Sequence, residues 1–282
     1  MNGSKSYSSL YIILGIFPFL TAICLMYLPQ LFLITVGVIR AANKGLSDPA
    51  EVNADAYEFL YAHLPIGFAV YGVILTAVFL IWNRYAFGEG LRVFLPDRSS
   101  INIRNAIAVI LIAVAANYIA YATLYFYKAF TPSLFEDYLT LTGRARGGGS
   151  IIYIVYSILL APIAEELAFR NLSFRYLSKS VLPVWAVIVI QAFLFGLLHM
   201  NFIQTAYTFV FGILLGLIRY KTGKLFFPLM THFFFNLWGI LSRKLVDFDK
   251  MTQNILIAVI SVFVVALCYL FLLNGSVKAE ES

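Results

Sequence analysis

Charge is scarce in this sequence. Lys, Arg, Asp and Glu make up 12% of its 282 residues, about half the share of an ordinary soluble domain. With 61% hydrophobic and 17% aromatic residues, that shortage excludes a soluble globular fold. Cysteine is nearly absent: Cys24 and Cys268 lie inside apolar runs, form no CxxC, and read as small hydrophobes without a disulfide. No GxSxG is present, and no Ser or Cys occupies a nucleophile context. Neither HExxH nor an inverted HxxEH occurs, so the common zinc-hydrolase spacings are missing. No internal repeat is evident, which argues against a small-solute transporter built from repeated halves. The net charge of +6 calls for no nucleic acid, because membrane proteins gather Lys and Arg in their cytoplasmic loops.

Long apolar runs are what the chain has in abundance. A membrane span takes about 20 mostly apolar residues, and eight candidates meet that length or approach it. They are Leu10–Ile39 (interrupted by Pro18 and Pro29), Leu64–Trp82, Asn105–Phe130, Ile151–Tyr176, Val181–Met200, Phe202–Ile218, Leu225–Leu241 and Asn254–Leu273. They lack period-2 alternation, so they read as helices, which satisfy their own backbone in lipid. The expected fold is an all-α, polytopic membrane bundle of about eight helices forming a single integral membrane domain, 1–282. Residues 1–150 supply N-terminal spans and loops, 151–241 a catalytic core, and 254–273 the last span. The N-terminal run reads as a first span, not a removable signal. Polar loops are expected at Arg40–His63 and Thr131–Ser150, the latter containing the flexible RARGGGS. Gly212 and Gly216 read as a helix-packing seam. Lys and Arg divide twelve to eight in favour of the side carrying both termini, which points that side to the cytoplasm of a cell membrane.

The stretch IIYIVYSILLAPIAEELAFR, 151–170, stands apart. It delivers Glu165, Glu166 and Arg170 at the end of an apolar run, and ionisable groups at membrane depth mark functional sites by default. On a continuous helix Arg170 lies on the face of Glu166, four residues back, and neutralises it. Glu165 points about 100° away and keeps no local cation. Later runs add His199, and then His232 and Asn236, which share one helix face across three phenylalanines. Burying such groups is costly unless they bond to something. Depth is the difficulty: measured from the turn near Ser178–Ser180, Glu165 and His199 lie roughly 20 and 30 Å away. Tilt, a kink or a late helix start at Pro183 can close that gap. His63 has no partner pattern and reads as a surface residue.

Together these groups suit amide hydrolysis. Glu165, helped by His199, would take the proton of a water, while His232 and Asn236 would donate to the oxyanion. The same atoms could instead hold zinc. Polar helix glue in a non-catalytic scaffold or regulator that binds a partner protein is the competing reading.

Glu165-Glu166-x-x-x-Arg170, Phe195-x-x-x-His199 and His232-x-x-x-Asn236, in that order on successive apolar spans, resemble the CPBP family. That family comprises the type II CAAX prenyl endopeptidases and bacterial relatives linked to bacteriocin processing and immunity. The resemblance covers roughly Ile151–Trp238. It implies an eight-helix intramembrane glutamate protease; no cofactor is expected, with zinc as the alternative. Glu165 and His199 then activate water, His232 and Asn236 form the oxyanion site, and Glu166 and Arg170 support them. The implied partners are membrane lipid and a protein or peptide substrate that can be prenylated, with no nucleic acid.

Overall fold

The computed structural model describes residues 2–96, 102–145, 149–242 and 251–273. Among the described residues there is no β-strand. The helices are α1 (Asn2–Asn43), α2 (Pro49–Phe87), α3 (Ile103–Phe130), α4 (Pro132–Ala145), α5 (Ile151–Ser178), α6 (Val184–Leu197), α7 (Phe202–Thr222), α8 (Phe226–Leu241) and α9 (Met251–Leu267). A π-helical turn, Cys268–Leu272, continues α9.

Local chemistry sets the ends. Asp48 caps α2 by accepting from the Ala50 N–H (3.0 Å), with Pro49 in the first turn where no N–H is missed. Asn102 caps α3 through the Asn105 N–H (2.9 Å), and Asn201 caps α7 through the Gln204 N–H (3.0 Å). Gly88 and Gly223 close α2 and α7 at φ 71° and 66°, where a side chain would strain the backbone.

Among the described residues six helices are long and apolar enough to cross a membrane: α1, α2, α3, α5, α7 and α9. The chain is an integral, multi-pass membrane protein. All eight expected spans are helical, but the fifth and seventh are shorter than expected. They form α6 and α8, apolar helices of 14 and 16 residues. Pro183 starts α6 late, and a tight turn ends it at Leu197.

Two expected loops are also helical. Most of Arg40–His63 belongs to α1 and α2, which pair as a hairpin. Asp55 binds Lys44 and lies 4.0 Å from Arg40, so the charges read as loop markers close the hairpin instead. Gly37 makes the pairing possible, since a Cβ there would sit 2.8 Å from the Ala56 Cα. Within Thr131–Ser150, α4 is amphipathic. It buries Phe135 and Tyr138 against Ile203 at the start of α7 and exposes Glu136 and Asp137. Of RARGGGS, residues 146–148 lie outside the described residues. His63 is half-buried, stacked on Phe59 at 4.0 Å.

The core is centred on α5. Leu167, Ala168, Phe169 and Leu172 are fully buried, with α1, α2, α6, α7 and α8 packed around them. The Gly212/Gly216 seam holds as expected: a Cβ on Gly212 would meet Ala192 and Phe195 at 3.0 Å, and one on Gly216 would meet the Gln191 amide at 2.5 Å. These glycines bring α7 against α6.

Candidate active site

The glutamates sit on one continuous helix whose winding changes at them. Tyr156–Leu160 and Glu166–Ser173 are π-helical, with Ala161–Glu165 α-helical between. Pro162 lacks an N–H in this stretch, and such insertions concentrate at functional sites. In each π stretch one carbonyl is taken up by another helix. Asn236 Nδ2 on α8 donates to the Ser157 carbonyl (2.7 Å), and Arg219 Nε on α7 donates to the Arg170 carbonyl (3.0 Å). A carbonyl in lipid needs such a partner.

Glu166 and Arg170 pair as expected, Arg170 NH1 lying 3.1 Å from Glu166 Oε1, with both side chains wholly buried. Arg170 therefore belongs to no surface charge balance, and the twelve-to-eight division of Lys and Arg becomes eleven to eight. Its NH2 donates to the Gly212 carbonyl (3.3 Å), which also accepts from Gln191 Nε2 (3.1 Å). The guanidinium stacks over the Phe195 ring at 4.2 Å.

His232 joins the two glutamates. Its Nδ1 lies 2.9 Å from Glu166 Oε1, and its Nε2 lies 3.7 Å from Glu165 Oε2. An ionised Glu166 only accepts, so Nδ1 carries a proton. That leaves Nε2 facing Glu165 at a distance too long for a direct hydrogen bond. Phe195 and Phe211 hold the imidazole edge-on, with ring centroids 5.7 and 5.4 Å away. Glu165 is 12% exposed, against 0% for Glu166, and makes no hydrogen bond among the described residues.

His199 and Asn236 are half-buried. His199 lies in the turn between α6 and α7, not inside a span, and Met200 beside it takes φ 51°. The late start of α6 removes the depth mismatch: from the ends of their helices near Ser178 and Val184, Glu165 and His199 lie about 20 and 22 Å along. His199 Nδ1 bonds the Phe195 carbonyl (3.1 Å), and among the described residues it makes no hydrogen bond to either glutamate. Its link to the group is the Phe195 ring, 5.2 Å away, which also touches His232 and Arg170.

The structure thus brings Glu165, Glu166, Arg170 and His232 into one cluster. His199 is attached through Phe195, and Asn236 is anchored on Ser157. Sequence reasoning missed the partners that fix this cluster: Ser157, Gln191, Arg219 and Asn117. Asn117 donates to the Phe235 carbonyl (3.0 Å), directly beside Asn236. It is an amide inside an apolar run, the same signal that singled out Asn236.

Glu166 Oε1 already faces the Arg170 guanidinium and His232 Nδ1. Among the described residues no three His, Cys, Asp or Glu side chains are placed to hold a metal ion.

Residues 147–238 match the model of a protein family described as type II CAAX prenyl endopeptidase Rce1-like. The match spans all six predicted site residues and supports the assignment to the CPBP family. No curated protein and no solved structure matched the chain.

Proposed function

With residues 147–238 falling in the type II CAAX prenyl endopeptidase family, we propose that the chain is an intramembrane endopeptidase that hydrolyses a peptide bond by carboxylate-activated water. One observation carries this reading. Glu166, Arg170 and His232 already hold one another in a buried clamp, through Glu166 Oε1, and that pairing alone serves as helix glue. Glu165 lies outside that clamp, 12% exposed and, among the described residues, without a hydrogen bond, 3.7 Å from an imidazole nitrogen. A carboxylate kept in that state inside a bilayer is unexplained by packing.

Charge balance defines the working form. A buried cluster avoids net charge. Glu166 and Arg170 cancel, so Glu165 and His232 together hold one exchangeable proton beyond the one on Nδ1. With that proton on Nε2, Glu165 is an anion able to take a proton from water, and Nε2–H is a donor. Water attacks the scissile carbonyl carbon and gives its proton to Glu165. The oxyanion receives hydrogen bonds from His232 Nε2–H and from the amide proton that Asn236 does not spend on Ser157. The tetrahedral intermediate then collapses, the C–N bond breaks, and Glu165 returns the proton to the leaving amine. His199, joined to the cluster through the Phe195 ring, orders the water. No metal enters these steps. The substrate is a membrane-associated protein or peptide, prenylated where a C-a-a-X terminus is present; nucleic acid has no part.

Mass spectrometry of a farnesylated C-a-a-X peptide and its unprenylated twin, incubated with wild-type and Glu165→Gln proteoliposomes, tests this. Cleavage by wild type and none by an equally stable Glu165→Gln is expected. Cleavage retained in that variant overturns the carboxylate role. Absence of cleavage in wild type, with both proteins stable, favours the scaffold reading. Stoichiometric zinc whose chelation abolishes turnover would replace the metal-free route.

A further inference from the structure

A second polar site lies at the far end of α2, beyond the bundle's apolar belt. The turn after this helix forms a pocket of about 430 Å³ lined by Arg84, Gly88, Gly90, Leu91 and Arg92. Among the described residues its positive charge is not cancelled locally. The acid of the turn, Glu89, is already held by Arg175 of α5 through two contacts of 2.7 and 3.3 Å. Arg84 uses NH1 on the Gly88 carbonyl (2.8 Å). Arg92 makes no hydrogen bond or ion pair among the described residues. A Cβ built on Gly88 or Gly90 meets no atom within 4 Å, so the pocket stays open on that side.

The surroundings select the ligand. Tyr85 is 86% exposed, Leu91 69% and Leu95 66%. A site for a dissolved anion has no use for such a rim. A bilayer surface does: tyrosine sits at headgroup level, leucine reaches the acyl chains, and arginine binds phosphate with paired N–H groups. Arg104, Lys179 and Lys224 lie at helix ends on this same side of the bundle, which raises the local anion concentration. We infer that Arg84 and Arg92 bind a phosphate anion, and that its source is the headgroup of an anionic phospholipid. This stands independently of the proteolytic reading, since neither arginine belongs to the Glu165 cluster.

The test uses the full chain in nanodiscs of phosphatidylcholine with increasing phosphatidylglycerol, and native mass spectrometry of the lipids retained. Wild type should enrich phosphatidylglycerol. Arg84→Ala/Arg92→Ala should lose that preference by roughly thirty-fold, about five-fold for each arginine. Arg144→Ala, at the opposite end, should not. Inorganic phosphate added at tens of millimolar should fail to displace the lipid. Undiminished enrichment in the double variant overturns the site, and displacement by inorganic phosphate overturns the lipid as its source. Should the double variant lose its thermal transition, Arg84→Lys/Arg92→Lys keeps the charge but not the paired geometry. It must then fall between wild type and no preference, and full retention by it overturns the proposal equally.

Discussion

Removing the Arg170 guanidinium is the sharpest probe of how the cluster is built. Arg170→Met keeps an unbranched apolar stem but takes away the partner 3.1 Å from Glu166, where both side chains are wholly buried. It also removes a bond to the Gly212 carbonyl and the stacking on Phe195. Breaking a buried pair from one side leaves an uncompensated charge and costs about 3–5 kcal/mol. For a protein of this size the drop in transition temperature is several degrees or more. The reasoning makes a second, less obvious demand. Glu166→Gln/Arg170→Met removes both charges, so it should be more stable than Arg170→Met alone, because replacing a whole buried pair is often near neutral. Neither variant should cleave, since in both the charge that orients His232 Nδ1 is disturbed or gone. The assay is thermal unfolding by tryptophan fluorescence in detergent, beside product mass spectrometry. A single variant as stable as wild type, or a double variant less stable than the single, would refute the account of the pair.

Asn236→Ala removes one oxyanion donor and should lower kcat by about 10²–10³-fold with KM little changed, read from progress curves on a cleavable peptide. Gly239→Ala pushes a Cβ to 2.9 Å from Asn117 Nδ2, an overpacking worth about 1–3 kcal/mol; adding Asn117→Ala should restore part of the lost stability, and an additive double variant would contradict the contact. Because Glu165 and His232 hold one working proton between them, kcat/KM should fall on both the acid and the alkaline side of its optimum. A profile flat on one side would break the sharing argument.

The apolar runs made the bundle legible because lipid imposes a length and a helix on each of them. Two segments escaped that logic. Residues 40–63 looked like a loop because they carry charge, yet Asp55 pairs with Arg40 and Lys44 across a hairpin that extends the helices past their apolar parts. The stretch after Thr131 hid α4 for a similar reason: its buried residues, Phe135 and Tyr138, are too few to register against a background this hydrophobic. Within the site, the Glu166–Arg170 pair followed from helical spacing alone. The position of His232 did not. A straight α-helix turns Glu165 and Glu166 to different faces, and spacing gives no reason for one imidazole to reach both. The local winding, π-helical from Glu166 onward with Pro162 just before, decides where those carboxylates point.

That winding also bears on why the pair differ in role. Glu166 begins the π stretch and is drawn inward to Arg170, whose own carbonyl is held by Arg219 of α7. Glu165 ends the preceding α-helical turn and keeps its exposure. Adjacent identical residues are thus separated into a fixed, neutralised carboxylate and a partly exposed one by helix winding and a single cation. Substituting Pro162 by Ala restores the missing backbone N–H and tests this. If the winding needs that vacancy, Pro162→Ala should relax the π turns, pull Glu165 from His232, and cut kcat while the thermal transition holds or rises. Unchanged turnover would assign the division of roles to Arg170 alone.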